Sequence, residues 1–287
     1  MKKNIKIFLE LTKIKITSFV TVTTAFGYIT ASGQINFEII PVLFGVLLLA
    51  FGSASVNHYQ EKDFDIKMDR TKGRPIPSGR ISSEKVLIIS LLLVLAGSLI
   101  LLIGTNLLAL GLGLLNLIWY NFVYTLLKRK TPFAIVPGSL VGAIPPMIGW
   151  AAAGGSLSDP QIIILAFFFF IWQIPHFWLL LLVLDKDYRQ AGFPTLTQVF
   201  SREQLSRITF IWIIATAVTG LMIPLFGIVM EFWVNIGLFL SGALLSWKAF
   251  SLLVESKDFS VFRYNFKYIN YFALLVVFLV SIDKLIF

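Results

Sequence analysis

The sequence contains no cysteine and only two histidines in 287 residues. Disulfides, thiolate metal sites and covalent haem attachment through a CxxCH pair are therefore excluded. Charge is scarce as well. Asp, Glu, Lys and Arg make up 14% of the chain, and the 15 acids are outnumbered by 24 bases. Segments alternating apolar and polar residues are missing, which argues against a membrane β-barrel. There is also no linker and no low-complexity stretch. What remains is apolar: 57% hydrophobic residues and a mean hydropathy of +0.85. A soluble domain of this size could not bury that much apolar surface, so the chain belongs to the membrane class.

A bilayer core is crossed by about 20 helical residues. Nine runs meet that length, at 16–33, 37–56, 86–104, 106–127, 133–153, 161–184, 206–226, 228–250 and 268–286. The expected fold is all-α: one polytopic domain over 1–287, with nine transmembrane helices around a central cavity open to the cytoplasmic side. The basic start, MKKNIKIFLELTKIK, could pass for a signal peptide. The run that follows is long enough to span, and no clear small-residue cleavage site precedes the next one, so it reads as a retained first helix. The net charge of +9 does not point to nucleic acid, because the bases lie in short loops between apolar runs. With nine spans, every Lys and Arg except Lys284 falls on one side. That places the N-terminus in the cytoplasm and the C-terminus outside. The second and sixth runs both lead into mixed-charge loops on the same side, with Gly73-Arg74-Pro75 and Gly192-Phe193-Pro194 close behind. This is a weak echo of a duplicated four-helix unit.

The densest charge follows the second run, in NHYQEKDFDIKMDRTKGRP at 57–75. Acids at a membrane edge are costly and usually functional. If the helix continues outward, steps of four residues put Asn57, Glu61, Asp65 and Asp69 in one slanted stripe, with Asp63 turned away. Three carboxylates on one face repel unless a cation shares them. Magnesium suits such a stripe, because it takes one or two carboxylates and completes its shell with water and phosphate oxygens. Arg70, Lys72 and Arg74 could hold the remaining phosphate oxygens. Metal plus bases describes a diphosphate site. The alternative is a solvated, self-paired loop.

Three further groupings carry chemistry. After the sixth run, LDKDYRQAGFP offers Asp185 and Asp187 for a second magnesium and Lys186 or Arg189 for phosphate; a mixed-charge helix end is the alternative. At the end of the fourth run, Tyr124 and Lys128 share a face and, with Arg129 beside them, could donate to a diphosphate. They could equally be an interfacial aromatic and a topology anchor. In WQIPHFW at 172–178, Pro175 breaks the helix hydrogen bonding and His176 is polar at membrane depth. His176 could ligate haem iron, shuttle a proton, or bond a carbonyl freed by Pro175. His58 reads as a neighbour of the stripe rather than a ligand. Pro137, Gly138, Gly142, Pro145, Pro146 and Gly149 predict a kinked, closely packed fifth helix beside a cavity.

Taken together, these residues resemble the UbiA-type intramembrane prenyltransferases. The finer pattern is NxxxExDxDxxMxRTxxRP from Asn57, GAIPPMIGW at 142–150, WQIPHFW at 172–178 and DYRQAGFP at 187–194. It is similar to the protohaem IX farnesyltransferase (haem O synthase) branch of that family. The resemblance runs from about Leu11 to Pro194. Glu61 stands where most members carry Asp, Ile14 replaces a common Pro, and the second acidic loop lacks the full Asp-x-x-x-Asp, which favours Asp187 over Asp185.

The resemblance implies a magnesium-dependent enzyme of a bacterial cytoplasmic membrane. Asn57, Glu61, Asp65 and Asp187 would carry the metal and Arg70, Arg74, Tyr124 and Lys128 the diphosphate, with Trp172 and His176 near the acceptor. It implies farnesyl diphosphate and haem b as substrates, water addition to give haem O, and a haem A synthase or terminal oxidase assembly as partners. A quinone-type prenyltransferase is the nearest alternative, and the Pro-His-Phe-Trp segment argues against it. A transporter would place its acids near the midplane, whereas these gather at one rim.

Overall fold

A computed structural model describes residues 2–254 and 259–286. Lys257, one of the loop bases counted above, lies outside the described residues. Eleven helical segments carry the argument: α1 (Lys2–Leu11), α2 (Ile14–Ser32), α3 (Ile39–Asp65), α4 (Ser83–Gly104), α5 (Leu107–Leu127), α6 (Pro132–Ala152), α7 (Pro160–Val183), α8 (Asp185–Gln190), α9 (Arg202–Phe226), α10 (Phe232–Val254) and α11 (Phe259–Ile286). No strand occurs among the described residues.

Eight of these helices are long and apolar enough to cross a membrane, not nine. The one that falls short is α2, 19 residues long and therefore about 28 Å. Its shortfall is compositional. Thr17, Thr21, Thr23, Thr24 and Thr30 lower its hydropathy, yet each hydroxyl donates to a carbonyl one turn back. With their donors satisfied within the helix, these threonines can sit against apolar neighbours. At the far end of α2, a Cβ built on Gly33 would lie 3.6 Å from the Lys284 carbonyl oxygen. The end of α11 is thus on the Gly33 side, opposite Lys13.

Close backbone approach sets the packing. A Cβ on Gly27 would lie 2.0 Å from the Pro146 carbonyl oxygen, and one on Gly149 1.9 Å from that of Thr24. Only glycine lets α2 and α6 cross at that distance. Gly97 meets Gly45 in the same way between α3 and α4, with a Cβ-to-oxygen distance of 2.7 Å. One apolar cluster joins α7, α9, α10 and α11 around Phe168, Phe169, Ile213 and Val276; a second joins α3, α4, α5 and α6 around Leu49, Leu101 and Ile148. Leu91, Leu92, Leu95 and Ile103 on α4 point outward, as a lipid-facing helix requires.

Helix α1 lies beside the acidic rim. Its Ile7 and Leu11 are buried with Val86, Ile76 and Ile81, while Ile5 and Leu9 face out. Arg80 donates to Glu10 through both terminal nitrogens, at 2.5 and 3.2 Å, tying α1 to the loop after α3.

Candidate active site

The last turns of α3 place Asn57, Glu61 and Asp65 on one face, all buried. Each meets one side-chain cation from a different part of the chain. Lys13 Nζ donates to Asn57 Oδ1 at 2.5 Å. Lys128 pairs with Glu61. Arg74 Nη1 donates to both oxygens of Asp65 at 2.8 Å. The remaining Asn57 nitrogen donates to Thr125 Oγ1 at 3.2 Å.

Local backbone geometry delivers the three cations. Lys13 separates α1 from α2 and has φ +49°, the one positive-φ non-glycine among the described residues. This left-handed kink is strained for an L-residue. The loop after α3 folds back on itself: Thr71 Oγ1 donates to the Asp65 carbonyl at 3.0 Å, and the Arg74 amide to the Thr71 carbonyl at 2.9 Å.

Within α5, residues Trp119–Tyr124 form a π-helical turn, a feature frequent at functional sites. Thr125 Oγ1 donates back to the Tyr120 carbonyl at 2.8 Å. Tyr120, Tyr124 and Lys128 consequently share the cavity wall. Asn121, on another side, is locked to α3 by bonds with Ser53 and Gln60.

Beneath this charged rim lies a cavity of about 480 Å³, within the usual range for small-molecule sites. Phe19, Val20, Leu49, Phe169 and Trp172 give it apolar walls, and His176 and Asn270 add polar groups. Burial pushes the Lys13 ammonium down to about 7, with Arg74 and Lys128 nearby adding repulsion. Burial would lower Lys128 too, but the Glu61 carboxylate outweighs it and holds Lys128 above the ordinary lysine value.

The oxygens of Asn57, Glu61 and Asp65 are hard donors of the kind magnesium prefers. Three positive side chains already sit where such a cation would be attracted. Among the described residues no three acidic or imidazole side chains form a ready-made metal cage. The donor chemistry of Asn57, Glu61 and Asp65 is compatible with a magnesium ion that takes one or two carboxylates and completes its shell with water and phosphate oxygens.

The pattern of the UbiA prenyltransferase family matches residues 19–275. The chain belongs to that family. It is a multi-pass membrane prenyltransferase. It is 41% identical to a protoheme IX farnesyltransferase of Geobacter sulfurreducens, over 65% of this chain and 68% of the relative. It is 31% identical to one of Oleidesulfovibrio alaskensis, over 81% and 82%. These relatives are the branch that the sequence motifs resemble. The fold is similar to a solved structure of digeranylgeranylglyceryl phosphate synthase, with a TM-score of 0.80, 16% identity and 99% of both chains covered. It is also similar to a UbiA homolog from Archaeoglobus fulgidus bound to GPP and Mg2+, with a TM-score of 0.68, 13% identity and coverage of 97% and 99%.

The UbiA frame clarifies which expected residues meet. Asn57, Glu61, Asp65, Arg70, Arg74, Tyr124, Lys128, Trp172 and His176 all line the cavity. Asp69 and Lys72 do not. Helix α3 ends at Asp65, so the four-residue stripe stops there, and Asp69 instead pairs with Lys72 in solvent at 2.7 Å. Arg129 donates to the Gln60 carbonyl at 2.6 Å and lies over the Phe64 ring, away from the cavity.

The second acidic loop also differs from expectation. In the short α8, Asp185 and Arg189 share a face and pair at 2.9 Å, and Thr197 bonds both. Asp187 is half-buried and off the cavity wall. Tyr188 and Phe193 are the side chains that this loop contributes to the cavity.

Lys13, Tyr120 and Asn270 were not singled out by sequence reasoning, yet all three line the cavity. Lys13 looked like one more topology-setting base, and nothing in the pattern separates it from Lys15. His58 is buried behind Asn57 and does not reach the cavity.

Proposed function

We propose that this UbiA-family enzyme transfers the farnesyl group of farnesyl diphosphate to a vinyl group of haem b, with water addition, giving haem O. The observation that carries the reading is the rim of buried, cation-paired oxygens directly above an apolar cavity that ends on Trp172 and His176. A rim of that kind suits a diphosphate, and the cavity suits an isoprenoid tail beside a flat aromatic acceptor. The similarity to named protoheme IX farnesyltransferases supports the same acceptor.

Magnesium, held through Asn57, Glu61 and Asp65, would supply charge neutralisation to the departing diphosphate. The chain's own groups do the rest. Arg70, Arg74 and Lys128 hold diphosphate oxygens, and the Tyr124 hydroxyl donates to one of them. These fixed donors stabilise the negative charge that grows as the allylic C–O bond breaks. The aromatic walls exclude water while the farnesyl cation is exposed. The vinyl carbon of the acceptor attacks it, and water then adds to the resulting cation with loss of a proton.

The site opens on the cytoplasmic side of a bacterial inner membrane in this reading. A haem A synthase or terminal oxidase assembly would consume the product. Asp187 lies off the cavity wall and would hold a second magnesium only if its carboxylate were turned into the site.

The test is turnover of the purified chain in lipid nanodiscs with farnesyl diphosphate, haem b and magnesium. Mass spectrometry should detect hydroxyethylfarnesyl haem. A prenylated benzoate or naphthoate from mixed acceptors, with no haem product, would overturn the reading.

A further inference from the structure

His176 follows Pro175 in the middle of α7, and its ring faces the cavity. Among the described residues the ring makes one hydrogen bond, between Nδ1 and Asn270 Oδ1 at 2.8 Å. The other end of Asn270 decides the direction of that bond. Asn270 Nδ2 donates to the Phe266 carbonyl at 2.5 Å, and a carbonyl only accepts. The amide therefore turns its oxygen to the ring, so Nδ1 carries the proton. A neutral imidazole has a single N–H, which leaves a lone pair on Nε2.

The ring is fenced as well as oriented. Trp172 and Phe266 lie at centroid distances of 4.7 and 4.9 Å, and Phe177 meets its edge at 5.4 Å. Trp172 is itself anchored, with Nε1 donating to the Ile269 carbonyl at 3.2 Å. A ring flip would break the Asn270 bond, so Nε2 stays the free nitrogen.

We infer that His176 and Asn270 form an iron-ligating site for the porphyrin acceptor. His176 Nε2 donates its electron pair to the haem iron, and Asn270 is the positioning residue that fixes the tautomer. The inference rests on the haem reading above. Imidazole is a good ligand for iron, and ligating histidines characteristically donate their second N–H to a fixed acceptor. Trp172 and Phe19, which pack together at a tilt of 37° with centroids 5.6 Å apart, add aromatic surface to the same wall of the cavity. A relay of protons through the ring is disfavoured, because Asn270 passes no proton onward to the Phe266 carbonyl.

The test titrates the full chain in nanodiscs with haemin and, separately, with iron-free protoporphyrin IX. Haemin should bind at least tenfold more tightly and show the absorbance and electron-spin spectrum of histidine ligation. His176→Ala should abolish that spectrum and the tenfold preference, bringing haemin to the same affinity as protoporphyrin. Asn270→Ala should shift the spectrum and weaken haemin several-fold, and Asn270→Asp should restore both, since a carboxylate also accepts from Nδ1. Equal affinity of the wild-type chain for the two porphyrins overturns the inference, even if a variant fails to fold. An unchanged spectrum in His176→Ala, or in Asn270→Ala, overturns it too. Turnover measured on the same nanodiscs separates the two ideas. Absence of farnesylated haem defeats the proposed function, whereas product formation with equal porphyrin affinities defeats the ligation alone.

Discussion

Asp63 and Asp65 stand two residues apart, yet Asp63 is exposed and Asp65 is fully buried under Arg74. Asp65→Ala should lower kcat on the order of 10²-fold or more, the usual cost of removing a group that acts on transition-state charge. Asp63→Ala should change it less than about threefold. Steady-state turnover in nanodiscs checks both, and equal losses would contradict the helical phase of α3. Removing Asp65 also leaves Arg74 unpaired at a mostly buried position, so Asp65→Asn is the gentler control.

At the scale of elements, backbone contacts make sharper predictions than side chains do. Gly149→Val should drive α2 from α6, because its Cβ would fall 1.9 Å from the Thr24 carbonyl oxygen. The midpoint of heat-induced aggregation in detergent should drop by several degrees. Gly111→Ala is the contrast: no atom lies within 4 Å of its Cβ, and the change should be neutral or stabilise by up to about 1 kcal/mol.

The attachment of α1 should depend on pH. The Arg80 hydrogen bond holds the Glu10 carboxyl below its ordinary 4.5. Its contribution is therefore present above the unfolded value of 4.5 and lost as pH falls through the lower folded value. The pair is partly exposed, so about 1 kcal/mol is its ceiling. Melting curves of Glu10→Gln should lack that acid-side loss.

These elements also show where the sequence was legible. Apolar runs located the helices, eight of which are apolar enough to span, but they missed that α3 runs on to Asp65 and that α11 already starts at Phe259. The threonines and Lys15 keep α2 below the hydropathy of its neighbours. The stripe Asn57, Glu61, Asp65 followed from helical phase alone. Asp69 failed because phase cannot reveal where a helix stops. The π-helical turn and the left-handed Lys13 are departures from regular geometry, invisible to any fixed period. Asn270 escaped because a lone Asn in an apolar helix carries no pattern until its neighbour across the bundle is known.

For the whole molecule, topology is the open quantity, and the absence of cysteine makes it easy to probe. Asp63→Cys should react with a membrane-impermeant maleimide only in inside-out vesicles. Ser156→Cys, in the loop between α6 and α7, should react only from the outside of intact cells. Labelling of both from one side would refute an odd number of crossings between Asp63 and Ser156, which α4, α5 and α6 supply. Because the native chain has no thiol, any signal belongs to the introduced residue.

The pairing of Lys13 with Asn57, Lys128 with Glu61 and Arg74 with Asp65 has an energetic corollary. Metal alone must displace positive side chains from the oxygens it needs, and diphosphate alone must draw those side chains away from partners they already hold. Arriving together, the two exchange partners with the protein: oxygens to the metal, ammonium and guanidinium groups to the phosphates. Such an exchange makes the two ligands cooperative, each raising the affinity of the other by the same factor. Calorimetry should show weak binding of magnesium or of a non-hydrolysable farnesyl diphosphate analogue separately, and at least tenfold tighter binding of either in the presence of the other. A site wired in this way answers only weakly to free magnesium or to free pyrophosphate-like anions, and strongly to the two together.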